Sequence, residues 1–246
     1  MDCFIDIETL PSADRQPFID DAVENFRAPS SLTKAKAGED LGITGDKLKF
    51  MPADEVKAKW EKEMASEKAE EVGDEAWRKT ALDGTRGRVL CAAVNTGNDT
   101  RVAYGDPEDE ADTLRHIFST ISEMCSEIHP QADKRKPFFI GHNVTFDLKF
   151  LFRRAVILGT RPPFPIPFQG RHNKDFYCTM QAWCDFKETI SLDKLCTALG
   201  IEGKEGFDGS KVYDAWANGE HDRIKQYCAD DVNKVIKLHD KLTFKK

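Results

Sequence analysis

The chain begins Met1-Asp2-Cys3-Phe4-Ile5-Asp6-Ile7-Glu8-Thr9-Leu10. Its apolar residues predict a buried strand over Asp2–Glu8. Side chains alternate along a strand, so Asp6 and Glu8 are expected on the same face. Two carboxylates at such a short distance repel each other unless a cation lies between them. Oxygen ligands of this kind suit Mg²⁺ or Mn²⁺. A pair of this kind is common by itself, and the simpler interpretation is a solvated strand edge.

A third acid follows another predicted strand. Residues 137–140 are Pro-Phe-Phe-Ile and lead into Gly141-His142-Asn143-Val144-Thr145-Phe146-Asp147. Thr145 is expected to cap a helix over Phe146–Leu158 that Gly159 ends. Asp147 would then lie in the first helical turn, at the carboxyl end of a strand, where open α/β sheets bind ligands. An acid favoured there only by the helix dipole is the alternative.

A tyrosine and a fourth acid lie near the end of the chain, in Tyr227-Cys228-Ala229-Asp230-Asp231. The surrounding pattern predicts a helix over His221–Leu242, on which Tyr227 and Asp231 share one face. A tyrosine at the edge of a core would explain Tyr227 equally well. The three motifs in this order are a much more specific signal than any one of them.

The order D-x-E, N-x-x-F-D and Y-x-x-x-D resembles the DEDD (DnaQ-like) superfamily of 3′–5′ exonucleases, in its tyrosine branch (DEDDy). That branch includes the proofreading domains of family A and B DNA polymerases. In the histidine branch, the residue that handles the attacking water lies five positions before the last aspartate, where this chain has Gln226. Residues 76–88 are also similar to stand-alone bacteriophage-type exonucleases related to the polymerase B proofreading domain. The resemblance covers residues 1–10 and 86–246.

The resemblance implies an α/β, ribonuclease H-like fold: a mixed five-stranded sheet flanked by helices. The pattern of the chain agrees, with strands predicted at Asp2–Glu8, Arg88–Asn95, Arg101–Tyr104, before Gly141 and at Phe176–Cys178. Helices are predicted near 108–128, 146–158, 191–199 and 221–242. We expect one exonuclease domain over residues 1–246, with a largely helical insertion over residues 11–86 after the first strand.

The activity that the resemblance implies is metal-dependent hydrolysis of phosphodiester bonds at DNA 3′ ends, with release of nucleoside monophosphates. Single-stranded ends are the expected substrate, and the cofactors would be two Mg²⁺ or Mn²⁺ ions. Asp6 would bridge both ions, Glu8 and Asp231 would hold one, and Asp147 would hold the other. Tyr227 would orient the attacking water.

The resemblance also implies a pocket for the terminal nucleotides. Thr9 and Leu10 would contact the 3′-terminal sugar and base, and Asn143 and Phe146 would line the same pocket. Phe146 as plain core and Leu10 as the start of the next segment are the alternatives.

The net charge of −7 argues against a protein that coats nucleic acid nonspecifically. Local basic groups remain at Lys134–Lys136, at Arg153 and Arg154, and over Arg161–Lys174. The last stretch interleaves prolines and aromatics, which suits either a single-strand interface or a connector packed on the core.

Seven cysteines without a Cys-x-x-Cys pair indicate free thiols in a reducing compartment. The spacing of His172, Cys178 and Cys184 fits no familiar zinc pattern. The sequence contains no apolar run of membrane-spanning length and no leader, so we expect a cytoplasmic protein of a bacterial or phage-infected cell, without a membrane partner. The sequence does not identify a polymerase or recombination partner.

Three other functions are compatible with the motifs. An exoribonuclease of the ribonuclease D type shares the five residues, but nothing here resembles its helical RNA-binding appendix. A catalytically silent nucleic-acid-binding accessory factor would usually have lost one acid, and here all four are present. Endonuclease activity on branched DNA is possible in this fold, whereas the tyrosine branch indicates strand ends.

Overall fold

The computed structural model describes residues 1–128, 136–185, 188–202 and 206–245, without the side chains of residues 65 and 66. Lys134 and Arg135, from the first of the basic groups, lie outside the described residues. Within the described part of the chain, no helix is both long and apolar enough to cross a membrane.

A mixed five-stranded sheet organises the fold, as predicted. Its strands are β1 (Asp2–Leu10), β2 (Arg88–Asn95), β3 (Thr100–Tyr104), β4 (Phe138–Gly141) and β5 (Phe176–Cys178). The spatial order is β3-β2-β1-β4-β5. Strands β1, β2 and β3 pair antiparallel, whereas β4 pairs parallel to both β1 and β5. Strand β1 is therefore central, and it runs two residues past the predicted end.

Helices cover both faces of this sheet. The odd-numbered apolar residues of β1, such as Ile5 and Ile7, belong to a core that includes residues of α5 (Glu110–Ile128) and α6 (Val144–Ile157). The even-numbered ones, Phe4 and Leu10, belong to a second core with residues of α10 (His221–Leu242). The period-2 alternation of β1 thus assigns its two acids to the α10 face.

The remaining helices of this part of the chain are short: α7 (Thr179–Trp183), α8 (Leu192–Ala198) and α9 (Val212–Ala217). The prediction of a helix near 191–199 is confirmed, whereas α7 and α9 were missed. The α10 bounds agree with the predicted ones.

A buried ion pair joins α5 to α6. Arg154 donates from Nε and Nη2 to the two carboxylate oxygens of Glu110 at 2.9 and 2.6 Å, and Glu110 also accepts from the backbone N–H of Val89 at 2.8 Å. Arg154 is only 8% exposed. It is therefore a structural residue, and the expectation that it forms part of a basic group for nucleic acid is wrong.

The chain divides into two compact units, residues 1–11 with 81–246, and residues 12–80. The second unit is helical, as predicted, and contains α1 (Gln16–Asn25), α2 (Lys34–Asp40), α3 (Gly45–Phe50) and α4 (Ala53–Lys79). Its own small core includes Leu32, Val56 and Trp60, and the Trp60 indole donates to Asp40 at 2.9 Å. The single domain over 1–246, with an insertion over 11–86, stays a prediction.

Candidate active site

The central strand presents two acids to one side. Asp6 lies opposite Ala93 of β2, and Glu8 lies opposite Cys91. A β-bulge follows between Glu8 and Thr9. Bulges re-aim side chains and often lie next to active sites, and this one changes the pairing register immediately after the second acid.

Helix α10 brings a tyrosine, a cysteine and an acid to the same side. The Cys228 thiol donates to the backbone oxygen of Asp6 at 3.5 Å and to its Oδ2 at 3.7 Å. Tyr227 precedes Cys228, and its hydroxyl interacts electrostatically with the carboxylates of Asp231, Glu8 and Asp6. Helical spacing places Tyr227 and Asp231 one turn apart, so α10 contributes both to one site.

Helix α6 contributes Asp147 in its first turn, as predicted. The helix begins at Val144, so Asn143 occupies the N-cap position and the prediction of a Thr145 cap is wrong. Asp147 Oδ1 accepts a hydrogen bond from the backbone N–H of Ile7 at 3.2 Å. Because β4 ends at Gly141, this part of β1 extends past its parallel neighbour, and the side chain of Asp147 takes the place of a strand partner.

The environment makes all four acids costly to ionise. The pKa of Asp6 and that of Glu8 lie well above their ordinary values, first because of burial and then because of repulsion from neighbouring carboxylates. Burial raises the pKa of Asp147 to about 8, although backbone hydrogen bonds oppose the shift. Burial also raises the pKa of Asp231. Such a group of buried carboxylates is ionised at neutral pH only when positive charge compensates it.

One compensating charge comes from the chain itself. Lys234 Nζ donates to Asp231 Oδ1 at 2.8 Å and to Asp193 Oδ1 at 2.9 Å. Burial would lower the pKa of Lys234, but these hydrogen bonds outweigh it and raise the pKa. Lys234 is therefore a buried cation that holds one oxygen of Asp231 and leaves its other oxygen for a further partner.

The donor set fits divalent cations. In the described part of the chain, the His, Cys, Asp and Glu side chains close enough to hold one ion are those of Asp6, Glu8 and Cys228, whose ligand atoms all lie within 4.8 Å of one another. Burial and a hydrogen bond with Cys91 raise the pKa of the Cys228 thiol. Thiolate sulfur is a soft ligand that Mg²⁺ and Mn²⁺ do not favour, so the carboxylates are the better ligands. Carboxylate oxygens are the ligands that Mg²⁺ and Mn²⁺ prefer.

The family model of predicted 3′–5′ exonucleases related to the exonuclease domain of PolB matches residues 105–241. This match spans more than half of the chain. The chain belongs to this family. No curated protein matches the chain significantly. A 3′–5′ exonuclease domain acts on nucleic acid, and the matched residues of this family member contain Asp147, Tyr227 and Asp231, whereas Asp6 and Glu8 lie before them on β1.

The four residues expected to bind the substrate lie in different environments. Thr9 is half-buried and its hydroxyl donates to the backbone oxygen of Ala81 at 2.7 Å. Asn143 is exposed and has a left-handed backbone with φ of 57°, and Phe146 is half-buried against Phe150. Leu10 is 0% exposed. Its side chain is therefore inaccessible to a nucleotide in this structure, and the expected contact with the terminal sugar and base is not supported for that residue.

The aromatic residues of the basic stretch Arg161–Lys174 pack inward. Phe164 contacts Phe118 and Phe139 at centroid distances of 5.8 Å each, and Phe168 lies 4.5 Å from Phe152. Of the two alternatives for this stretch, the structure favours the connector packed on the core.

Sequence reasoning missed three residues around the site. In the sequence, Cys228 is only an apolar helix position, Lys234 has no assigned role, and Phe207 does not stand out. The Phe207 ring meets the Tyr227 ring at 4.9 Å in a T-shaped contact. Helical spacing could have indicated Lys234, which lies three residues after Asp231. Nothing in the local sequence indicates Phe207, because it reaches Tyr227 from a different segment.

Proposed function

We propose that this chain is a metal-dependent 3′–5′ exonuclease that removes nucleoside monophosphates from DNA 3′ ends, preferentially from single strands. The observation that carries the proposal is the pair Asp6 and Glu8 on β1, whose ligand atoms lie within 4.8 Å of each other. Asp147, Asp231 and Tyr227, from two distant helices, lie near enough to interact electrostatically with this pair. The family of the chain supports the 3′–5′ exonuclease class. DNA as substrate, the two ions and the tyrosine-branch chemistry rest on the motifs.

In this mechanism Asp6, Glu8, Asp147 and Asp231 would hold two Mg²⁺ or Mn²⁺ ions. When bound, such ions acidify water and neutralise charge on the phosphate and on the leaving oxygen. Water attacks the scissile phosphorus and the bond to the 3′-oxygen breaks, which leaves a nucleoside 5′-monophosphate and a new 3′-hydroxyl end.

Tyr227 would act as a positioning group for the attacking water. Burial, and then the neighbouring carboxylates, raise the pKa of Tyr227 far above its ordinary value. The phenol therefore keeps its proton at neutral pH and can orient water by hydrogen bonding, but it cannot serve as the base. Its interactions with Asp231, Glu8 and Asp6 place the hydroxyl beside the acids.

The Asp231 carboxylate accepts a hydrogen bond from Lys234 and so has a defined orientation before any ion binds. The Asp147 carboxylate is likewise oriented by a hydrogen bond, which the backbone N–H of Ile7 donates. Two of the four acids thus have one oxygen held by the protein, which reduces the ordering needed on ion binding.

The test is a degradation assay with 5′-labelled single- and double-stranded DNA and RNA, with Mg²⁺ or Mn²⁺ and with excess EDTA. We expect a ladder that shortens from the 3′ end of single-stranded DNA and stops in EDTA. Asp6→Ala should lower the rate by several orders of magnitude. Activity that persists in EDTA would refute the metal dependence, and faster degradation of RNA would favour the ribonuclease D-type alternative.

A further inference from the structure

An exposed cation extends the row of site residues on α10. Arg223, Tyr227 and Asp231 are spaced by four residues each, so they lie along one face of the helix. Four residues correspond to about 6 Å along a helix axis, which is comparable to one nucleotide step of an extended strand. Arg223 therefore lies about one such step beyond the tyrosine, on the side away from Asp231.

An aromatic ring holds this guanidinium next to the site. The Arg223 guanidinium carbon lies 4.7 Å from the centroid of the Phe207 ring, and the same ring makes the T-shaped contact with Tyr227. Contacts of this kind stabilise an exposed cation by roughly 0.5–1 kcal/mol. Phe207 thus connects Arg223 to Tyr227 and restricts the positions that the guanidinium can adopt.

The present partner of Arg223 is replaceable. Its Nη1 lies 2.6 Å from Glu220 Oε2, with the two side chains 53% and 38% exposed. Exposed ion pairs of this type contribute little to stability. A phosphate could therefore take over some of the guanidinium donors, which match phosphate oxygens in a bidentate geometry.

We propose that Arg223 binds a backbone phosphate of the substrate strand, namely the one on the 5′ side of the scissile phosphate. This inference rests on the proposed function. A strand that ends in a 3′-hydroxyl has no phosphate on the 3′ side of the scissile phosphate, so any second phosphate near the site belongs to the 5′ side. Arg223, whose guanidinium packs on Phe207, then binds the 5′-phosphate of the penultimate nucleotide.

Two deoxydinucleotides test the assignment, one with a 5′-hydroxyl and one with a 5′-phosphate. Both contain the scissile phosphate, but only the second has the additional phosphate. We expect the wild-type enzyme to show a KM about tenfold lower for the phosphorylated dinucleotide, as for one charge-assisted hydrogen-bonded contact. Arg223→Ala should remove this preference by raising that KM, with kcat and the KM of the 5′-hydroxyl dinucleotide nearly unchanged.

Lys225→Ala is the matched control. Lys225 is on the same helix but two residues away, and its amine lies 5.1 Å from the Tyr104 ring. This variant should keep the wild-type preference, whereas Arg223→Lys should keep only part of it because lysine lacks the planar fork. Circular dichroism verifies folding of each variant.

Equal KM values for the two dinucleotides in the wild type, or an unchanged preference in Arg223→Ala, would overturn the inference while leaving the proposed function intact. A wild-type protein that cleaves neither dinucleotides nor longer strands, with either ion, would overturn the proposed function and the inference with it.

Discussion

Replacing Asp147 by asparagine should stabilise the metal-free protein while abolishing its activity. Asp147 is 4% exposed and accepts a hydrogen bond from the Ile7 N–H. An amide oxygen can accept the same hydrogen bond, so the link to β1 is retained. What the substitution removes is the cost of burying an ionisable carboxyl group.

The magnitude follows from the pKa of Asp147, which burial raises from 3.8 to about 8. Between these values the folded protein keeps a proton that the unfolded chain releases. The free energy of unfolding of the metal-free wild type therefore falls as the pH rises from about 4 to about 8, by roughly 1.4 kcal/mol per pH unit. The variant lacks this loss. Its free energy of unfolding should therefore exceed that of the wild type by a small amount near pH 4, by about 2 kcal/mol at pH 5 and by up to about 4 kcal/mol at pH 7.

The assay is urea denaturation of both proteins in EDTA at pH 4, 5, 6 and 7. The advantage of Asp147→Asn should grow with pH, and saturating Mg²⁺ or Mn²⁺ should reverse the order, because the wild type gains more from ion binding. Asp175→Asn serves as a control, since this residue is half-buried outside the site. A variant that is no more stable than the wild type at pH 7 in EDTA, with a parallel pH dependence, would refute the reasoning about the acids.

Two further substitutions separate positioning from charge compensation. Tyr227→Phe keeps the ring contact with Phe207 but loses the hydroxyl. We expect kcat to fall roughly 10–1,000-fold, while the metal concentration that gives half of the remaining activity stays nearly the same. Full activity, or loss of metal binding, would contradict the water-orienting role. Lys234→Met removes the buried cation from Asp231 and should lower the free energy of unfolding in EDTA by about 3 kcal/mol, measured by urea denaturation. Asp193→Asn is its control and should cost at most about 1 kcal/mol, because Asp193 is 59% exposed; equal losses in the two variants would show that Lys234 acts through Asp193 and not through Asp231.

Several features of the fold and site could be predicted because they depend on neighbours in the sequence. The bounds of β2 and α10 follow from their apolar patterns, and both agree with the structure. The common face of Asp6 and Glu8 follows from the two-residue period of a strand, and that of Tyr227 and Asp231 from the helical spacing. The resemblance to a known exonuclease family assigns the three motifs to one site, although they are far apart in the chain.

Predictions that depended on distant contacts were less successful. Thr145 is a good capping residue, but the N-cap position is occupied by Asn143, whose backbone is left-handed. Helix α6 therefore begins at Val144, before Thr145. Arg154 looks like a surface cation in the sequence, yet Glu110 of another helix buries it. Leu10 follows the first motif directly, but the second core encloses its side chain.

The sequence by itself determined which side chains share a face, because the periods of strands and helices are local properties of the backbone. Only the tertiary structure decided which faces meet. Asp147 reaches the Ile7 N–H across 140 residues of chain, and Phe207 reaches Tyr227 from a separate segment. The same long-range packing buries the acids and sets their pKa values, since desolvation depends on everything that surrounds a group and not on its neighbours in the chain.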